Sequence, residues 1–141
     1  MSYTKPWDRP MNTILLIEDN ANNFSLLEDI FLFDDIPARL VSVETGDEAL
    51  NRAVELQPAL ILMDLRLPGI DGLETTQILK HNALTRDIPV WAITAYAMNG
   101  DEERARAAGC CEYITKPVRA LELANRLRTF LGQLERREVL I

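Results

Sequence analysis

The chain predicts an α/β fold whose parallel sheet is covered by helices on both faces, and three features carry that prediction. Five short apolar runs recur along the 141 residues, each too brief for a good helix. Each run is followed by a stretch whose apolar residues return at helical spacing. No linker and no internal repeat interrupts the alternation. Short apolar strands alternating with amphipathic helices place strands side by side in parallel, buried from above and below. Strand crossovers are overwhelmingly right-handed, so the doubly wound arrangement is the natural solution. A chain of this length makes one domain with a sizeable core.

Residues 1–11 read as an N-terminal arm, with Pro6, Trp7 and Pro10 among polar neighbours. Packing through Trp7 or Tyr3 and disorder are both open to it. The domain proper spans residues 12–134. Its first strand, Asn12 to Ile17, ends at Glu18 and Asp19. Asn20 can cap a helix from Ala21 to Phe33 with Phe24, Leu27, Ile30 and Phe31 on one side, and Pro37 stops it. Arg39 to Val43 forms a second, more exposed strand. A helix opened by Gly46 and Asp47 carries Ala49, Leu50, Ala53 and Leu56, with Pro58 after its end.

The third strand, Ala59 to Asp64, is nearly all apolar and ends in one carboxylate. A Pro68-Gly69 turn follows, and Gly72 opens a helix presenting Leu73, Ile78 and Leu79 as far as Asn82. Pro89 to Thr94 is the fourth strand. Asn99 to Ala108 is a polar helix, with Asp101, Glu102 and Glu103 near its positive end and Glu102 spaced to pair with Arg106. Glu112 to Thr115 is a short fifth strand leading to Lys116-Pro117. The last helix runs from Val118 to Leu134, burying Leu123, Leu127, Phe130, Leu131 and Leu134. Residues 135–141 form a tail whose apolar end, Val139 to Ile141, offers a handle for a homodimer, with a frayed terminus as the plainer reading.

A net charge of -7 and the lack of any basic run argue against nucleic acid as a partner. No secretory signal or membrane-spanning stretch is legible, so a cytoplasmic setting is expected. The neighbouring Cys110 and Cys111 are read as a turn and strand entry, since adjacent cysteines are poorly placed to bridge each other.

Sheets of this kind hold their functional groups beyond the carboxyl ends of the strands. Those ends carry Glu18 and Asp19, Asp64, Thr94 and Lys116. Each has an ordinary structural reading taken singly; together they make a site. Three carboxylates at one edge need a cation, and oxygen ligands without His or Cys favour Mg²⁺. A carboxylate beside such an ion can attack phosphorus, with the ion, an ammonium and a hydroxyl stabilising the phosphoryl oxygens.

Four motifs at the strand ends extend that reading: IEDN at Ile17 to Asn20, LILMDLRLPGIDG around Asp64, ITA at Ile93 to Ala95, and YITKP at Tyr113 to Pro117. Over Asn12 to Leu134 the chain resembles the receiver domains of two-component response regulators, and TAYAMNGDEERARAAGC is similar to stand-alone regulators of the DivK type and to receivers attached to hybrid kinases. The resemblance implies the flavodoxin-like, CheY-like strand order 2-1-3-4-5, which periodicity does not supply. It also implies a role for each residue. Asp64 accepts the phosphoryl group. Asp19, Asp64 and the Arg66 backbone carbonyl ligate Mg²⁺, with Glu18 acting through water. Lys116 pairs with Asp64, and the Lys116-Pro117 bond is cis. Thr94 and Tyr113 switch, and the bulky Arg66 and Tyr96 slow loss of the phosphate. The implied donor is a sensor histidine kinase or a histidine phosphotransfer protein. The output is a protein target on the face of the fourth helix, fifth strand and fifth helix, here Met98 to Ala108 with Arg119, Glu122 and Arg126.

A phosphohydrolase of the haloacid-dehalogenase type would carry a second aspartate where Arg66 stands, with its nucleophile on the first strand. A degenerate, unphosphorylated receiver would lack one of Asp19, Asp64, Thr94 or Lys116, and all are in place. A nucleotide-binding fold would follow its first strand with a glycine-rich loop, where Asp19-Asn20-Ala21 stands instead. The expected function is that of a signalling switch that catalyses its own phosphorylation and dephosphorylation, not a metabolic enzyme.

Overall fold

The computed structural model describes residues 12–66, 71–95 and 99–140, with side chains given through residue 136. Ten elements alternate along it: β1 (Asn12–Ile17), α1 (Ala21–Phe33), β2 (Ala38–Val43), α2 (Gly46–Leu56), β3 (Leu60–Asp64), α3 (Gly72–Lys80), β4 (Val90–Thr94), α4 (Asp101–Ala108), β5 (Glu112–Thr115) and α5 (Ala120–Leu140). The five strands form one parallel sheet in the order β2-β1-β3-β4-β5.

Strand position explains strand composition. All five residues of β3 and of β4 are buried, because these inner strands have a neighbour on each side and helices above and below. The edge strands β2 and β5 are mostly half-buried and carry their polar residues there. The period of two then divides each apolar run between two cores. Ile14 and Leu16, Leu60 and Leu62, Trp91 and Ile93 face Leu27, Ile30 and Phe31 of α1 and Leu123, Leu127 and Leu131 of α5. Leu15 and Ile17, Ile61 and Met63, Val90 and Ala92 face Ala49, Ala53, Leu79 and Ala105 from α2, α3 and α4.

Short polar side chains start the helices. Asn20 accepts from the Asn22 amide at 2.8 Å, Thr45 from Glu48 at 3.4 Å, and Asp71 from Glu74 at 2.8 Å. Gln57 ends α2 in the left-handed region at φ 45°, and its Nε2 donates to Leu84 O at 3.0 Å. The expected Glu102–Arg106 pair forms at 3.2 Å.

Three expectations of detail change. Ile78 does not face the core; it stands 38% exposed, while Thr75 and Thr76 are buried in its place. Their hydroxyls donate back to Asp71 O at 2.8 Å and Gly72 O at 2.7 Å, which removes the cost of burying them. Neither threonine registers in a count of apolar residues. The last helix starts at Ala120 rather than Val118 and continues past Leu134 to Leu140. Helix α4 begins at Asp101, after Gly100 in the left-handed region at φ 87°. Cys110 is buried and Cys111 exposed, both as free thiols. No described helix is long and apolar enough to cross a membrane.

Candidate functional site

The sheet order sets β1 and β3 side by side, so the residues that end them meet. Ile17 pairs with Met63, which brings Glu18 and Asp64 to one edge. The Glu18 amide donates to Val43 O at 3.0 Å, so the strand ladder holds Glu18 as if β1 ran one residue further. Leu65 N donates to Ile93 O at 3.2 Å and does the same for Asp64. Both acids are buried, at 4% and 5% exposure, whereas Asp19 is exposed.

Lys116 reaches in from the loop after β5, with its backbone amide on Thr94 O at 2.7 Å. Its Nζ donates to Glu18 Oε1 at 2.9 Å and to Asp64 Oδ2 at 3.0 Å. The Lys116–Pro117 bond is cis. Asp64 Oδ1 accepts from the Arg66 amide at 2.9 Å. Pairing of Lys116 with Asp64 was expected from sequence; its equal hold on Glu18 was not.

The electrostatics follow from burial. Desolvation, and then the neighbouring Asp64 carboxylate, push Glu18 up to about 7 against the opposing pull of Lys116. Burial works against the Lys116 ammonium, but the two carboxylates outweigh it and hold its pKa above the ordinary value. One ammonium therefore serves two buried acids. Glu18 Oε2 is buried without a hydrogen-bond partner. Carboxylate oxygens of Glu18, Asp19 and Asp64 lie within 4.8 Å of one another. An orphaned buried acceptor beside two further acid oxygens fits a hard divalent cation.

Thr94 closes β4 at 2% exposure. Tyr113 is half-buried on β5 and packs on the core beneath α4; burial, then Asp101 and Glu102, raise its phenol pKa. Tyr96, Met98, Pro68, Gly69 and the arm of residues 1–11 lie outside the described residues. Sequence reading missed the part Gly72 plays. A Cβ there would stand 2.4 Å from Asp64 O and 2.5 Å from Leu65 Cα, so α3 can dock on the end of β3 only through a hydrogen atom. The Gly72 amide donates to Leu65 O at 3.1 Å across that contact. Backbone approach leaves no trace in periodicity.

A groove of about 680 Å³ along Trp91, Arg126 and Phe130 lies away from the carboxylates. A smaller apolar niche of about 90 Å³ adjoins Asp64 and Lys116, walled by Leu26, Leu27, Ile93, Pro117 and Val118. The chemistry sits with the smaller one, since the titratable groups converge there.

The model of the response regulator receiver domain matches residues 14–128. This chain belongs to that family. It is 42% identical over 120 residues to the polar-differentiation response regulator DivK of Brucella ovis, covering 85% of this chain and 96% of that protein. It is 33% identical, with a TM-score of 0.77, to the receiver domain of a sensor histidine kinase from Pseudomonas aeruginosa, covering 87% of this chain and 99% of that one. That structure has a magnesium ion coordinated in its active-site cleft. The signal receiver domain of a LuxO repressor protein from Vibrio parahaemolyticus shares the fold, with a TM-score of 0.81 at 23% identity over 93% of this chain and 98% of that one. The expected fold and family are both met. The protein is a DivK-like response regulator receiver, a signalling protein with an acidic cluster suited to Mg²⁺ at its phosphorylation site.

Proposed function

We propose that this receiver works as a stand-alone phosphorelay switch, taking a phosphoryl group on Asp64 from a phosphohistidine of a sensor kinase or phosphotransfer protein. The observation that carries the proposal is the Lys116 ammonium bridging Glu18 Oε1 and Asp64 Oδ2 while Glu18 Oε2 stays unpartnered. A buried nucleophile stands beside an ammonium there, in a cluster of three acids that leaves room for a further cation. The match to 96% of the length of a DivK regulator supports the DivK-like reading.

Asp19, Asp64, Glu18 and the Arg66 carbonyl would hold Mg²⁺. When bound, that ion supplies charge neutralisation for the acids and for the incoming phosphoryl oxygens. The chain's own residues do the rest. The donor imidazole approaches over the apolar niche of Leu26, Pro117 and Val118. An Asp64 oxygen attacks phosphorus, the P–N bond breaks as the P–O bond forms, and the imidazole leaves with its electron pair. Lys116 then turns from carboxylate to phosphoryl oxygen, and Thr94 supplies a hydroxyl to the same group. Tyr113 follows Thr94 and changes the face of α4, β5 and α5, where Arg119, Glu122 and Arg126 meet a protein target. Bulk at Arg66 and Tyr96 limits access of water to the acyl phosphate and lengthens its life.

The test is Mg²⁺-dependent labelling with a small phosphodonor, native chain against Asp64→Asn. Label is expected on the native chain alone. Undiminished label on Asp64→Asn would show that Asp64 is not the acceptor.

A further inference from the structure

Helix α5, at 21 residues, is the longest of the described helices, roughly 31 Å from end to end. Its last fully buried residue, Leu131, stands just past its middle, and its backbone carries on to Leu140. Along its outer side Asn125, Thr129 and Gln133 stand about one turn apart, all exposed. With Arg126, Phe130 and Leu134 beside them they form one wall of the groove of about 680 Å³, opposite Trp91 and Glu112. Among the described residues Thr129 and Gln133 make no side-chain hydrogen bond, and Asn125 makes one, accepting from Arg128 at 3.0 Å. Nothing in phosphoryl transfer uses this wall.

Counted outward from Thr129, this side of the helix is complementary to itself. Four residues away stand two amides, Asn125 before and Gln133 after; seven away stand opposite charges, Glu122 before and Arg136 after. All four lie within about 40° of Thr129 round the helix. An antiparallel copy turned about a two-fold axis at Thr129 therefore sets amide against amide and Glu122 against Arg136, each of them twice. The other charges are consistent with that pairing. Arg126 meets Glu122 at 3.3 Å and Glu112 at 3.5 Å within its own chain, and Gly132 leaves space at the position facing it. Arg128 lies on the flank towards α1, where it donates to Asp34 O at 2.6 Å, and Glu135 is on the same flank. Arg106, which donates to Cys111 O at the groove, is paired with Glu102. Arg137 and Glu138 add one charge of each sign. Glu112 and Glu122 against Arg126 and Arg136 make the wall neutral, on a chain whose net charge is -7. Two such chains repel each other least across a neutral face.

We propose that two copies of this chain pair through α5, antiparallel about Thr129, each helix laid along the groove wall of the other. The contact is the same patch on both copies and closes on itself. It covers the half of α5 beyond Leu131 that the domain does not bury. It takes nothing from α4 and nothing from the carboxylate site, so it stands whether or not Asp64 accepts a phosphoryl group. Because it covers Glu122 and Arg126, a protein target that uses those residues must displace the second copy.

A charge swap tests this on the full chain. Sedimentation velocity over a micromolar concentration series is expected to show a monomer–dimer equilibrium that weakens as salt is raised. Glu122→Arg and Arg136→Glu each weaken it by about 10-fold, because each turns two attractions into two repulsions. Both changes in one chain restore the native constant to within about 3-fold, since the pairs re-form with their signs exchanged. Both side chains are exposed, and that recovery separates lost pairing from lost folding. In a Cys111→Ser background, Thr129→Cys meets its own copy at the axis and gives a disulfide-linked dimer in air, whereas Ser25→Cys on the exposed side of α1 does not. A single monomeric species at every concentration would overturn the proposal. So would a dimer indifferent to either reversal, losses that add in the double variant, or equal cross-linking at the two cysteine positions.

Discussion

Replacing Gly72 by alanine tests the join between β3, which ends in Asp64, and the helix after it. In a helix first turn alanine is ordinarily the better residue, by up to ~1 kcal/mol. Here the added methyl carbon would lie 2.4 Å from Asp64 O and 2.5 Å from Leu65 Cα, against an ordinary contact of 3.4 Å or more. Both obstacles are backbone, so α3 and the end of β3 must part by about 1 Å. Overpacking of that kind costs ~1–3 kcal/mol. Stretching the Gly72–Leu65 hydrogen bond costs up to ~1 kcal/mol more. The net expectation is a loss of ~2–3 kcal/mol, or roughly 7–10 °C in melting temperature for a chain of this size. Because the displaced atoms carry the Asp64 carboxylate, and a 1 Å misplacement can cost ~10²-fold in rate, labelling at saturating Mg²⁺ should fall by one to two orders of magnitude. Thermal melts with and without Mg²⁺, run beside a labelling time course, read both effects. A variant that melts at or above the native temperature and labels at the native rate would show that the close approach does not exist in solution.

Three other perturbations follow from the same geometry. Lys116→Met leaves two buried acids without their cation and should cost ~3 kcal/mol in chelator, most of it recovered on adding Mg²⁺; urea titrations that match the native curve would mean the bridge is absent. In chelator the folded-state pKa of Glu18 is about 7 against an ordinary 4.5, so its stabilising contribution is full below pH 4.5 and is lost as pH rises through 7. The native chain should therefore lose stability relative to Glu18→Gln across that window, and parallel pH profiles would contradict the assignment. Leu62→Ala, at a fully buried position, should cost ~3 kcal/mol in urea denaturation, whereas Leu32→Ala, 69% exposed, should stay within ~0.5 kcal/mol. Equal losses would mean that the two cores are wrongly placed.

Much of the frame was legible from residue order because the inner strands advertise themselves. LILMD and VWAIT are apolar on both faces, and only a strand covered on both sides needs that. The acids, Thr94 and Lys116 were legible as a group because they stand where strands stop. What sequence could not give was the partition of contacts among them. Lys116 was expected on Asp64, and nothing in spacing says that a lysine 98 residues from Glu18 also lands 2.9 Å from it. The core side of α3 was misjudged for a related reason. Thr75 and Thr76 are polar by type but spend their hydroxyls on the helix backbone, so they bury at little cost while Ile78 faces out. The length of α5 escaped as well, since a charged run such as ERRE at 135–138 continues a helix as readily as it ends one.

The order in which the chain leaves the ribosome gives the Lys116 bridge another meaning. Lys116 lies 52 residues after Asp64 and 98 after Glu18. Strands β1 and β3 can therefore pair, and draw their two acids together, well before the compensating ammonium has been synthesised. Until then the nascent sheet carries an electrostatic penalty at its rim, and pairing of β4 with β5 both completes the fold and removes it. A chain interrupted ahead of β5 would hold both acids but not the cation beside them. Under the function proposed above, an unfinished copy would therefore lack the cation on which transfer to Asp64 depends.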